Sequence, residues 1–290
     1  MATRPANNLW RVKPIDRIMK QSGNKEQGLK RTLTAFSITL LGIGAIVGTG
    51  IFVLTGVAAA KYAGPGLILS FIVAGIASGL AAICYAEFAS TVPIAGSAYT
   101  YSYATLGELV AWIIGWDLIL EYAVGAAAVS IGWSGYIVDL LKSSLGIAIP
   151  KALTESPFSG GVINLPAFLI ILVLTALLIL GTSESTRVNN VIVIVKLAVI
   201  AFFLIVGFGH VNPANWNPFL PYGPGGIFRG ASIIFFAYIG FDQISTSAEE
   251  AKNPTRDMPL GIFLSLLVCT VLYIAVTAVL TGMVSYKQLD

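Results

Sequence analysis

Seven long apolar runs divide the chain, at about residues 33–60, 65–90, 105–141, 162–181, 188–209, 227–248 and 259–284. About twenty apolar residues cross a bilayer as a helix, so each run predicts a membrane span. The long third run predicts either a tilted helix or one that begins in an interfacial segment. Two runs break their own pattern. In the first, Gly42, Gly44, Gly48 and Gly50 fall within nine residues. Each glycine weakens a helix, and backbone left unpaired in hydrocarbon costs several kcal/mol per group. Such an interruption is tolerated only where it lines a cavity or is buried in protein. In the sixth run, the aromatic and small residues of Ile234-Phe235-Phe236-Ala237-Tyr238-Ile239 are interrupted by Gly240 and then by a carboxylate, Asp242.

Interrupted helices five spans apart are the pattern of a five-helix repeat that recurs inverted, with a site where the two breaks meet. The fold class expected is therefore an all-α integral membrane protein with a five-plus-five inverted-repeat transporter core and discontinuous helices 1 and 6. Residues 1–32 form a basic N-terminal segment, 33–209 the first repeat and 210–290 a second one. A pair of repeats needs ten spans and seven are read here, so the second repeat is expected to be incomplete.

Composition supports the membrane reading. Hydrophobic residues make up 56% and charged residues 11%, with mean hydropathy +0.84, whereas soluble domains carry about 25% charge. The first thirty residues are polar and basic, and the first apolar run is too long for the core of a cleavable signal peptide. Residues 14–31 fit a short helix on anionic lipid or a solvated tail. With the N-terminus inside, eleven Lys and Arg lie on the cytoplasmic side, Arg187 and Lys252 among them, against five outside. That bias predicts a cytoplasmic N-terminus in a multi-pass protein of the cell membrane. The net charge of +3 is mostly this tail, so it speaks for orientation and not for nucleic acid. Cys84 and Cys269 both fall in spans and read as structural thiols. His210 stands alone, and no zinc spacing, phosphate-binding loop or nucleophile elbow is present. No cofactor is expected, and an intramembrane enzyme is the weakest reading.

Three further patterns flank the breaks. Pro93-Ile94-Ala95-Gly96-Ser97-Ala98-Tyr99 follows the second span, Trp116-Asp117-Leu118-Ile119-Leu120-Glu121-Tyr122 lies in the third, and Glu249-Glu250-Ala251-Lys252-Asn253-Pro254 follows the sixth. In this order and spacing, from about Lys30 onward, the chain resembles the amino acid–polyamine–organocation superfamily and, within it, the cationic amino acid transporters and their bacterial relatives. The resemblance implies a substrate carboxylate received by the N–H groups of Gly48, Thr49 and Gly50. It gives the substrate ammonium to carbonyls of Phe236, Ala237 and Ile239, with Phe236 closing over it. It also points to Glu121 and Asp242 for a cationic side chain and to Lys196 for proton coupling.

Read from the residues alone, each position keeps an alternative. Amides at a half-helix N-terminus attract anions, yet Gly44-x-x-x-Gly48 also fits close helix packing. Phe236 fits ordinary packing. Glu121 and Asp242 are mid-span carboxylates that face a cavity or a partner; each is a substrate ligand, a hydrogen-bonded structural group or a proton carrier. Lys196 interrupts an apolar run at a cost of roughly 2.5–3.5 kcal/mol, and fits a cation fixed between the first and fifth spans as well as a proton carrier. The leading expectation is a secondary transporter of cationic amino acids coupled to protons, with small neutral amino acids as alternative substrates. A seven-helix receptor is the competing class, and it requires unbroken helices at Gly48–Gly50 and Ala237–Gly240.

Overall fold

The computed structural model describes residues 9–22, 31–180 and 182–289, and the side chains of 9–18, 31–179 and 190–289 among them. Of the basic segment, Arg4, Lys25 and Lys30 lie outside the described residues, as does the side chain of Arg187. The described chain is built from helices: α1 (Ile15–Ser22), α2 (Ala35–Ile46), α3 (Val53–Ala58), α4 (Leu67–Thr91), α5 (Ser97–Thr105), α6 (Glu108–Leu145), α7 (Leu165–Leu180), α8 (Thr182–Phe208), α9 (Gly223–Ile234) and α10 (Pro254–Met283). In lipid a helix satisfies every internal N–H and C=O within its own segment, which is why the apolar runs take this form.

All seven runs contain helix, and the first and sixth are interrupted. The first span is α2 and α3 separated by a 3₁₀ turn at Thr49–Ile51. The sixth is α9 followed by 3₁₀ turns at Phe235–Tyr238 and Gln243–Glu250. The unbroken helices that a seven-helix receptor requires are thus absent at both places. The third run, 105–141, corresponds to the 38-residue α6, and a separate nine-residue helix, α5, precedes it. At 1.5 Å per residue α6 is about 57 Å long, well beyond a hydrocarbon core of about 30 Å, so it runs oblique or projects past the membrane.

The core lies where α10 packs on α4 and α2, and α4 on α9. These crossings are close because small residues face each other. A β-carbon on Gly42 would come within 2.6 Å of Ser265, and one on Gly230 within 2.6 Å of the Ser70 hydroxyl. Phe71, Tyr238 and Tyr273 fill the centre, fully buried. Tyr238 donates to the Phe71 carbonyl (2.9 Å) and stands edge-on to Tyr273, with ring centroids 5.4 Å apart. By contrast, α6 leaves Trp112, Trp116, Ile119 and Leu120 exposed.

Two contacts fix the end of the molecule at which α2 begins. Leu33 forms a parallel bridge with Ala251, its N–H donating to Glu250 O (2.9 Å) while Lys252 N–H donates to Leu33 O (2.8 Å). The start of the first span is thereby tied to the end of the sixth. The segment before it is docked: Leu109 N–H donates to Leu9 O (2.9 Å), Lys13 N–H to Tyr103 O (3.1 Å), and Ile18 of α1 is buried in the core.

Candidate functional site

The two breaks touch. A β-carbon on Gly50 would overlap that of Ala237 and lie 2.8 Å from its Cα. Gly240, at φ +111°, approaches as closely from the other side: its β-carbon would stand 2.8 Å from Ala45 O. Only glycine holds that φ without strain, so Gly240 both ends the 3₁₀ turn and lets the two backbones meet.

Breaking a helix frees carbonyls, and most of those near the crossing are taken up by side chains. Tyr273 of α10 reaches Ile46 O (2.9 Å) and Ala237 O (2.7 Å), one from each break, and shares its single proton between them. Thr55 donates to Gly50 O (3.0 Å). Lys196 of α8 places its ammonium on Gly44 O (2.8 Å) and Val47 O (2.6 Å). A lysine in the middle of an apolar helix is thus bound to the last turn of α2, with its stem along protein instead of lipid. The donors are arranged differently. A new half-helix starts at Gly48 (φ −124°, ψ −141°), and its first N–H groups have no acceptor within that half. They also carry the positive end of its dipole.

A cavity of about 300 Å³ opens against these groups. Gly48, Thr49 and Gly50 line it from the first span, Phe236, Ala237 and Ile239 from the sixth, and Glu121 from α6. The sequence-expected carboxylate and amine sets are therefore brought to one place. The packing alternative finds little at Gly48, where an added β-carbon would meet only Val129 at 3.7 Å. Ala237 O has one of its two lone pairs engaged by Tyr273 and keeps the other.

Two expected residues stand apart from the cavity wall. Asp242 is buried, 5% exposed, behind Tyr122, whose hydroxyl donates to its carboxylate at 3.0 Å. Its carbonyl accepts from Ser245 (2.6 Å). Lys196 sits behind the α2 break that it holds. Glu121, half-buried, faces the cavity directly, and among the described residues no cation pairs with it. Sequence reading missed the rest of the α6 wall: Tyr122, Gly125, Ala126 and Val129. Their signal is helical spacing, since positions four and eight after Glu121 fall on or near its face and positions one and five border it. It also missed Gln243, adjacent to Asp242, which lines the cavity as Asp242 does not.

The cavity thus sets the N–H groups of one half-helix start, carbonyls that keep a free lone pair and one carboxylate around a single space. Residues 33–289 match the family described as amino acid permease. A methylthioribose transporter of Bacillus subtilis (strain 168) is 56% identical over 286 residues, covering 98% of this chain and 61% of that protein. A branched-chain amino acid permease of the same organism is 56% identical over 288 residues, covering 97% and 61%. The human cationic amino acid transporter 4 is 41% identical over 298 residues, covering 99% and 45%. The chain thus spans less than two thirds of the length of these relatives. Across almost all of its own length, it belongs to the amino acid permease family.

Proposed function

We propose that the protein is a secondary transporter that carries an amino acid by alternating access around the cavity between the two breaks. The observation that carries this reading is the meeting of Gly50 and Ala237, which turns two interruptions into one binding surface. In this reading the N–H groups of Gly48, Thr49 and Gly50 receive the carboxylate, and the carbonyls of Phe236, Ala237 and Ile239 receive the ammonium. Phe236 closes over the bound molecule. Glu121 neutralises a basic side chain, and a cationic amino acid is the preferred substrate. Asp242 acts through Tyr122, orienting the wall that carries Glu121.

Lys196 is assigned proton coupling. Its ammonium rests on the same backbone that holds the substrate carboxylate, so a change in its charge would loosen α2 and the site together. The repeats divide at residues 209 and 210, and the basic N-terminal segment places that end in the cytoplasm of a protein of the cell membrane. The Lys and Arg distribution supports this placement.

A second reading rests on the α6 wall, where Gly125, Ala126 and Val129 offer an apolar surface. It fits a neutral aliphatic side chain, as the name of the branched-chain permease relative suggests. Equilibrium binding of radiolabelled arginine and, in parallel, of radiolabelled leucine, each chased with unlabelled arginine, lysine, leucine or alanine, separates the two. Competition by arginine and lysine supports the cationic assignment. Competition by leucine or alanine alone removes it and leaves the amino acid site in place.

A further inference from the structure

Residues 9–17 form a strap laid across the joint between α5 and α6. Two backbone hydrogen bonds fasten it, from Leu109 N–H to Leu9 O (2.9 Å) and from Lys13 N–H to Tyr103 O (3.1 Å). Between them the Trp10 backbone rests on Gly107, where a β-carbon would come within 2.9 Å of it. Just past the strap, Ile18 of α1 is buried in the core. The start of α1 is therefore held by protein, and the strap is what faces outward. It leaves Leu9, Trp10, Val12 and Ile15 exposed, Trp10 at 64%, and Arg11 and Arg17 among them are exposed as well. We propose that this strap is a docking surface for anionic phospholipid headgroups.

Three observations favour lipid as the partner. The first is charge. Residues 9–17 carry Arg11, Lys13 and Arg17 against Asp16, and residues 1–31 carry eight Lys and Arg against Asp16 and Glu26. Glu108, exposed in the first turn of α6, adds a second acidic group beside the strap. Cations interleaved with apolar side chains suit a bilayer interface, where the apolar groups enter the acyl boundary and the cations stay at the phosphates. The second is level. Trp112 and Trp116 stand edge to face on α6, ring centroids 6.2 Å apart, and both are exposed. They lie about 4.5 and 10.5 Å along the helix from Leu109, the strap's anchor. Exposed tryptophans concentrate at the headgroup level of a membrane, and Trp10 adds a third at the same end. The third is order. A disordered tail loses entropy on settling at a surface, whereas a strap fixed at Leu9 and Lys13 presents its side chains at little further cost. The Lys13 ammonium stands 5.8 Å from the Tyr103 ring centroid, so of the strap's cations Arg11 and Arg17 are the ones turned outward. This surface is separate from the cavity, and the proposal holds whichever substrate the protein carries.

The test uses the full chain with Cys84→Ser and Val12→Cys, the new thiol carrying an environment-sensitive fluorophore; Cys269 is buried and stays. Nanodiscs hold either phosphatidylcholine alone or phosphatidylcholine with about a third phosphatidylglycerol. In both, brominated acyl chains quench the fluorophore on contact. Quenching is expected to be strong in the anionic discs and weak in the neutral ones. The ratio of docked to undocked strap, read from the quenched fraction, should fall about fivefold per charge removed and roughly 30-fold in Arg11→Gln/Arg17→Gln. Both side chains are exposed and the strap's two backbone bonds do not involve them, so the Gln pair keeps the fold. Arg11→Lys/Arg17→Lys should quench as the parent does. Equal quenching in neutral and anionic discs, or undiminished quenching in the Gln pair, overturns the proposal. So does a parent left unquenched by lipid whose emission shifts when a soluble acidic peptide is added, which would make the strap a protein-docking surface.

Discussion

Gly50 and Ala237 meet at a distance that admits no side-chain atom: a β-carbon on Gly50 would lie 2.8 Å from the Ala237 Cα. The contact joins the first span to the sixth at the level where both lose their helical hydrogen bonds. Gly50→Ala must therefore push the breaks apart. Overpacking of this kind costs about 1–3 kcal/mol, and the displaced backbone no longer lines one cavity. The expected outcome is a lowered Tm together with loss of amino acid binding. Gly135→Ala is the matched control, since an added β-carbon there meets nothing within 4 Å, and it should leave both measurements within about 0.5 kcal/mol of the parent.

The roles of the two carboxylates are separable. Glu121 lines the cavity, whereas Asp242 is reached only through the Tyr122 hydroxyl. A hydrogen bond to a charged group contributes about 1.5–3 kcal/mol. Glu121→Gln is thus expected to weaken arginine binding by roughly 10-fold to 150-fold and to leave leucine binding nearly unchanged. Asp242→Asn should weaken both ligands alike, because it disturbs the wall and not the side-chain partner. Isothermal titration with the two amino acids decides the matter: an arginine-selective loss in Asp242→Asn would move the charge recognition to that residue.

How far the site could be read from sequence depended on whether a residue violates the rules of a membrane helix. The glycines at 48, 50 and 240, the carboxylates and Lys196 all do, and each marks a place on or just behind the cavity. Tyr273 and Gln243 do not. A tyrosine in an apolar span and a glutamine near the end of another carry no signature of their own. The place of Tyr273 follows from which carbonyls lie within reach of its hydroxyl, and that of Gln243 from the turn after Gly240 that sets it on the cavity wall. The depth of Asp242 was hidden for the same reason, since its separation from the cavity is made by Tyr122 on a different helix. The short helix α5, between the second and third runs, escaped the hydropathy pattern as well. Between it and α6, Gly107 adopts φ +98° and lies against the Trp10 backbone, which a β-carbon there would meet at 2.9 Å.

Tyr273 provides a test of what holds the breaks at rest. Removing its hydroxyl leaves Ile46 O and Ala237 O without their shared donor. An unsatisfied buried group costs about 1–3 kcal/mol. Tyr273→Phe keeps the ring contacts with Phe71 and Tyr238, so its fall in Tm measures the hydroxyl alone. With water admitted to the freed carbonyls, hydrogen exchange in the turn Phe235–Tyr238 should rise, and exchange in the middle of α4 should not.

Lys196 bears the coupling proposal, and its two bonds make the outcome of substitution specific. The ammonium satisfies Gly44 O and Val47 O at once. Lys196→Met preserves the length of the apolar stem and removes both bonds, so the α2 break loses its anchor at the point where the substrate carboxylate is expected. Two readouts follow. Amino acid affinity should fall, by about 2 kcal/mol or more if both carbonyls are left bare, which corresponds to roughly 30-fold in Kd. Uptake into proteoliposomes should cease to respond to an imposed pH gradient, while exchange of labelled for unlabelled amino acid, which moves no net charge, continues at high substrate concentration. A variant that binds weakly yet still follows the pH gradient would show that Lys196 is only an anchor. The proton would then have to be carried by another group, of which Glu121 is the one already facing the cavity.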